Sequence, residues 1–281
     1  MKNILALAKP RITLMVALCS AAGFALASHG PVNRARLFWT IAGVALASAS
    51  TGCLNQLLEV EFDAAMVRTK ARPLPSGALS RSAALSWGLA WGVSGLALLA
   101  WKTNMTAAAL TGLTLVSYLI FYTPMKRISP LSIWIGAIPG ALPPVIGWAA
   151  GGGAMDSGAA VLFAIQFLWQ MPHFLALAWL HRADYERGGF RVYPVLDPSG
   201  ASTAWQMATT SGLLAVVAVL PFGLGLAGWA YLLGATALSG LFFLVSVSAS
   251  RNLCDSSAKK VFFASLAYLP LVLTLLVADR R

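Results

Sequence analysis

Apolar residues run along this chain in stretches of about twenty, separated by polar connections, the length at which a helix crosses a roughly 30 Å hydrocarbon layer. Nine such runs predict nine helices, over 12–28, 38–58, 83–101, 105–122, 131–150, 158–180, 204–224, 226–248 and 261–278. Inside a bilayer the backbone must satisfy its hydrogen bonds within each segment, so runs of this length predict an all-α, polytopic integral membrane protein. No composition shift marks a soluble domain, and residues 1–281 are expected to form a single transmembrane domain.

Composition sharpens this class. The chain is 58% hydrophobic and 10% charged, yet carries a formal net charge of +11. In a soluble protein that excess would point to nucleic acid; here its distribution reads as topology, because cytoplasmic loops retain Lys and Arg. On alternating connections, fifteen of the twenty basic residues fall on the N-terminal side and five on the other. This predicts a cytoplasmic N-terminus, an external C-terminus, the lipid bilayer as partner and no nucleic acid. Cys19 and Cys53 lie within apolar runs and Cys254 in a loop on the reducing side, with no disulfide or metal spacing. About ten residues precede the first run, too few for a mitochondrial presequence, and 12–28 lacks a cleavage site. The expectation is a retained span in a bacterial plasma membrane.

Two connections on the basic side are long, 59–82 and 181–203, and together they hold six of the nine acidic residues. Long connections in compact proteins are usually functional or disordered. Both contain Pro-Ser-Gly-Ala, at 75–78 and 198–201, a hint of internal duplication. In the first, Asn55, Glu59 and Asp63 follow one another at four-residue steps, which keeps them on one helix face while Glu61 points away. One amide and two carboxylates are hard oxygen donors suited to Mg²⁺, which keeps coordination positions for substrate phosphates. Arg68, Lys70 and Arg72 follow as a phosphate clamp, and Pro73, Pro75 and Gly77 end the helix and fold the chain back. The alternative is a solvated helix end whose acids pair with neighbouring bases. Asn55 argues against it, lying about two turns inside the apolar run, where polar residues are functional by default.

These residues resemble the first signature of the UbiA superfamily of intramembrane prenyltransferases, Asn-x3-Asp-x3-Asp followed by basic residues. Longer blocks, "DAAMVRTKARPLPSG" at 63–77, "YTPMKRISPLSIWIGAIPGALPPVIGWAAGG" at 122–152 and "WQMPHFLALAWLHRADYERGGFRVYPV" at 169–195, are similar to the haem O synthase branch of that superfamily. The resemblance implies a helical bundle around a central cavity open to the cytoplasmic side, with farnesyl diphosphate and haem b as substrates and Mg²⁺ as cofactor. It also points to a haem A synthase or a terminal-oxidase assembly as a docking partner. The alternative within the superfamily is another aromatic or chlorin acceptor. Two departures stand out: Glu59 replaces the usual Asp, and the second loop offers Asp184 and Glu186 two residues apart instead of two aspartates four apart.

The resemblance implies Asn55, Glu59, Asp63 and Asp184 as the catalytic set, with Glu186 joining them as metal ligands. Substrate contacts would come from Arg68, Lys70, Arg72, Tyr122, Lys126, Arg127, Arg182, Arg187 and His173. Tyr122 and Lys126, one turn apart, would reach diphosphate or equally form an interfacial belt. His173 would face the haem, as an axial ligand or through the propionates or vinyl side, or serve as a core histidine with a local hydrogen bond. If the sixth helix continues to Asp184, His173 and Asp184 share a face. The prolines of 136–148 are expected to break the fifth helix, and Pro172 to kink the sixth.

Overall fold

The structure is a computed structural model that describes residues 2–28 and 30–281. A short helix α1 (Lys2–Leu7) precedes the antiparallel pair α2 (Pro10–Ala27) and α3 (Arg34–Leu58). The short α4 (Val60–Ala65) opens the first long loop, which leads to α5 (Arg81–Lys102). Next come α6 (Met105–Val116), a π-helical stretch (Ser117–Tyr122) and the single turn α7 (Thr123–Met125). Then follow α8 (Ser132–Gly151) and α9 (Ser157–Leu180), and the second long loop carries α10 (Arg182–Arg187) and α11 (Tyr193–Leu196). The chain finishes with α12 (Ala201–Val217), the turn α13 (Leu220–Gly223), α14 (Trp229–Arg251) and α15 (Asp255–Ala278).

Among the described residues nine helical spans are long and apolar enough to cross a membrane, as expected. Their ends depart from the apolar windows for physical reasons. α3 begins at Arg34, because Asn33 accepts a hydrogen bond from Arg36 N at 3.0 Å and caps it ahead of the apolar run. α15 begins at Asp255, taking Lys259 and Lys260 into its first turns. The seventh span pauses after Val217 and resumes with Pro221 near the start of α13, where a missing amide hydrogen costs nothing.

α8 is the most buried of the spans and packs against α2, α6 and α9; α9 in turn meets α12 and α15. Close approach of α2 and α8 depends on glycine. A Cβ on Gly147 would stand 1.8 Å from Ser20 O, and one on Gly23 would stand 1.9 Å from Pro144 O. Small residues at membrane-helix contacts let dispersion replace the hydrophobic drive that lipid cannot supply. The expected break in α8 does not occur: the helix runs on through Pro139, Pro143 and Pro144. Neighbouring side chains also bond other carbonyls of this helix, Ser20 Oγ donating to Pro143 O at 2.8 Å and Gln170 Nε2 to Ala137 O at 2.9 Å. α9 likewise continues through Pro172. Both Pro-Ser-Gly-Ala segments place their glycine in the left-handed region, Gly77 at φ 73 and Gly200 at φ 74.

Gly147→Ala is expected to force α2 and α8 apart and destabilise the protein by about 1–3 kcal/mol. Gly240→Ala, in α14 with open space around it, is expected to be neutral or slightly stabilising. Thermal unfolding in detergent compares the two.

Candidate active site

α3 stops one residue short of Glu59, which adopts φ −109 and ψ 12 and joins it to α4. The helical register survives the joint, since Glu59 N donates to Asn55 O at 3.1 Å and Asp63 N to Glu59 O at 2.7 Å. Asn55, Glu59 and Asp63 are therefore aligned as the spacing predicts, and they are 3%, 5% and 1% exposed. Glu61 points out and pairs with Arg81 at 3.4 Å.

Each member of the buried face meets a cation. Lys9 Nζ donates to Asn55 Oδ1 at 3.0 Å, Lys126 forms an ion pair with Glu59, and Arg72 Nη1 donates to Asp63 Oδ2 at 2.7 Å. Burial, then the nearby charges of Arg72 and Lys126, pull the Lys9 ammonium down to about 8. Glu59 Oε1 touches Lys126 but accepts no aligned hydrogen bond and is buried. Asn55 Nδ2 donates to Thr123 Oγ1 at 3.2 Å, and Thr123 Oγ1 donates to Tyr118 O at 2.9 Å. The π-helical stretch thus holds the amide from the opposite side, as such stretches often do at functional sites. Tyr122, at its end, lies against Gly136 of α8 and under the Lys126 ammonium, 4.9 Å from the ring centroid.

The second loop folds over the first. Asp184 accepts from Val67 N at 3.0 Å, Arg68 N at 3.3 Å and Arg187 Nη2 at 2.5 Å. The Arg187 hydrogen bond, with those two amides, holds its carboxyl below the usual aspartate value. Phe190 packs with Met66 and Val192, and Arg191 N donates to Lys126 O at 2.8 Å.

The metal set expected from sequence is therefore divided. Asn55, Glu59 and Asp63 form a buried face of hard oxygen donors, the donor chemistry that fits a hard divalent cation. Asp184 is committed to loop amides and Arg187, while Glu186 is exposed, and among the described residues no three acids, histidines or cysteines gather as a metal cluster. α9 ends at Leu180 and α10 starts anew at Arg182, so His173 and Asp184 do not share a continuous helix.

His173 lies in the α9–α15 seam, its Nδ1 2.8 Å from Ser265 Oγ and its ring stacked on Trp169 and Phe262. That is the core-histidine arrangement weighed from sequence. Arg182 is drawn to α15, donating to Asp255 Oδ1 at 2.7 Å. Arg68, Lys70 and Arg127 are exposed at the edge of the site, Arg127 lying over Phe62 at 4.4 Å. Sequence reasoning missed Lys9, Thr123 and Tyr118. A lysine directly before a membrane helix reads as a topology signal, and no periodicity announces its contact with Asn55, 46 residues away.

Residues 16–267 match the UbiA prenyltransferase family, and a protoheme IX farnesyltransferase of Solibacter usitatus is 41% identical over 100% of this chain and 99% of its own length. The chain belongs to the UbiA prenyltransferase family. It is accordingly an intramembrane prenyltransferase that crosses the membrane several times. The UbiA fold extends to distant structures. A digeranylgeranylglyceryl phosphate synthase superposes with a TM-score of 0.82 at 17% identity, covering 99% of this chain and 97% of that one. A UbiA homologue of Archaeoglobus fulgidus bound to GPP and Mg²⁺ gives 0.68 at 16% identity, covering 98% and 99%.

Asp184→Asn is expected to loosen the tie between the loops and raise tryptic cleavage after Arg68 and Lys70 several-fold at pH 7. In the wild type, a carboxyl held below its ordinary 3.8 keeps the tie as pH falls to 4, losing it only on further acidification through the lowered value. Limited proteolysis at pH 7 measures the first effect; amide exchange of 66–68 at pH 4 and below measures the second.

Proposed function

We propose that the chain transfers the farnesyl group of farnesyl diphosphate to a vinyl group of haem b, with addition of water, giving haem O and diphosphate. The observation that carries this reading is the buried Asn55–Glu59–Asp63 face beneath Lys9, Arg72 and Lys126. It lies in a chain similar along its whole length to a protoheme IX farnesyltransferase.

The residues present supply what ionisation of an allylic diphosphate needs. The C1–O bond breaks with its electron pair leaving on diphosphate, so stabilisation must meet negative charge growing on the phosphate oxygens. Lys9, Arg72 and Lys126 converge where that charge would lie, and Arg68, Lys70 and Arg127 raise the positive potential at the entrance. Asn55, Glu59 and Asp63 would hold Mg²⁺, which when bound neutralises part of the leaving group's charge. The haem vinyl then forms the new bond to farnesyl C1, and water adds to the resulting cation and loses a proton. No protein nucleophile enters this sequence.

An apolar groove of about 240 Å³ between α3, α5, α6 and the π-helical stretch is lined by Leu54, Leu89, Val93, Leu115 and Ile120, with Leu89, Val93 and Ile120 exposed on the outer side of the bundle. The excess of basic residues on these loops supports a site on the cytoplasmic side, with the N-terminus.

Purified protein given haem b, farnesyl diphosphate and Mg²⁺ is expected to yield the hydroxyfarnesyl adduct by mass spectrometry. Asp63→Asn should lower turnover by about 100-fold or more, with haem binding retained. No adduct from protein that binds both substrates would refute the reading. A cysteine placed at Arg127 should resist membrane-impermeant reagents in intact cells; labelling from outside would invert the orientation.

A further inference from the structure

The three cations on the acidic face are not equivalent. Lys126 and Arg72 each neutralise a carboxylate, whereas Lys9 is spent on the uncharged amide of Asn55. Three positive charges therefore face two negative ones, Glu59 and Asp63, and Lys9 is the cation whose hydrogen-bonding partner carries no charge.

The backbone around Lys9 is arranged to bring it there. Among the described residues Lys9 is the sole non-glycine with positive φ, at φ 47 and ψ 62. L side chains rarely hold this conformation, and such strain persists where surrounding contacts over-determine it, commonly at functional sites. Those contacts are present. Leu7 is fully buried against Cys53 and Val60, and Gln56 Nε2 donates to Leu7 O at 3.0 Å. Thr13 Oγ1 donates to Ala8 O at 2.8 Å. Gly52 leaves the passage open: a Cβ there would lie 3.2 Å from Leu7 O and 3.3 Å from Lys9 Cδ. Asn55 is held from its other end by Thr123, which turns its oxygen toward the ammonium.

We propose that Lys9 is a diphosphate-binding residue with two alternative partners, Asn55 Oδ1 and an oxygen of the substrate's diphosphate. The proposal rests on the prenyl transfer reading given above. When Asn55 Oδ1 turns to a divalent cation, the ammonium is released to the anion that the cation brings. Lys9 therefore competes with Mg²⁺ for Asn55 and cooperates with it for diphosphate, so its removal acts on the two affinities in opposite directions.

Isothermal titration of the detergent-solubilised protein tests this with Mg²⁺ alone and with inorganic diphosphate at fixed Mg²⁺. Lys9→Gly removes the ammonium and suits the left-handed backbone, so its thermal midpoint should equal or exceed that of the wild type. Its diphosphate affinity should fall about tenfold or more, the scale of one charge-assisted hydrogen bond. Its affinity for Mg²⁺ alone should hold or rise. Lys9→Arg, which restores the charge, should return diphosphate affinity to within about threefold of wild type. If Lys9→Gly lowers the thermal midpoint, Lys9→Gln, which keeps the stem, carries the same expectations. Wild-type diphosphate affinity in the neutral variants, weaker binding of Mg²⁺ alone, or failure of Lys9→Arg to rescue would each overturn the proposal. Wild-type protein that binds no diphosphate at any Mg²⁺ concentration would instead overturn the prenyl transfer reading itself.

Discussion

Two carboxylates buried at the end of a membrane helix need counter-charge, and much of the face that carries the two long loops is built to supply it. An isolated ionised carboxylate out of water is costly, and breaking a buried ion pair from one side typically costs about 3–5 kcal/mol. Arg72 reaches Asp63 because the turns over 66–72 fold the first long loop back, with Thr69 Oγ1 donating to Asp63 O at 2.7 Å, and Lys126 reaches Glu59 because α7 ends beside it. The elements that look like connections are thus electrostatic partners of α3.

The same requirement accounts for the second loop. Asp184 holds amides of the first loop, and Phe190 fills the apolar space beside Met66, so the second loop covers the first without adding an acid to the Asn55–Glu59–Asp63 face. Exclusion of water strengthens every interaction beneath it. A diphosphate leaving group benefits from such a setting, because the fixed cations need little reorganisation as charge develops. Pairing with the acids also keeps the cations ordered and directed inward.

Much of the fold was readable from the sequence, because apolar length alone dictates a spanning helix. The Asn55, Glu59 and Asp63 face was also readable, since four-residue steps project to one side whether or not the helix bends at Glu59. What the sequence concealed depends on tertiary contact. The prolines of α8 argued for a break, but the helix runs on through them, packed between α2, α6 and α9. Asp184 resembled a ligand by composition, yet its oxygens are taken by amides over a hundred residues away in sequence. The π-helical stretch has at most a faint signal in Pro124, whose missing amide hydrogen removes one helical bond. Lys9 was counted as one more positive charge near the cytoplasm, because a left-handed turn that redirects a side chain leaves no periodic trace.

The central claim is that the acids and the cations paired with them act as one unit on one substrate group. A double-mutant cycle on kcat/KM with Asp63→Asn and Arg72→Gln, singly and together, measures this directly. The account predicts strong non-additivity, with the double variant at least about tenfold more active than the product of the single effects implies, or about 1.4 kcal/mol of coupling. Additive losses within experimental error would show that Asp63 and Arg72 serve separate purposes and would contradict it.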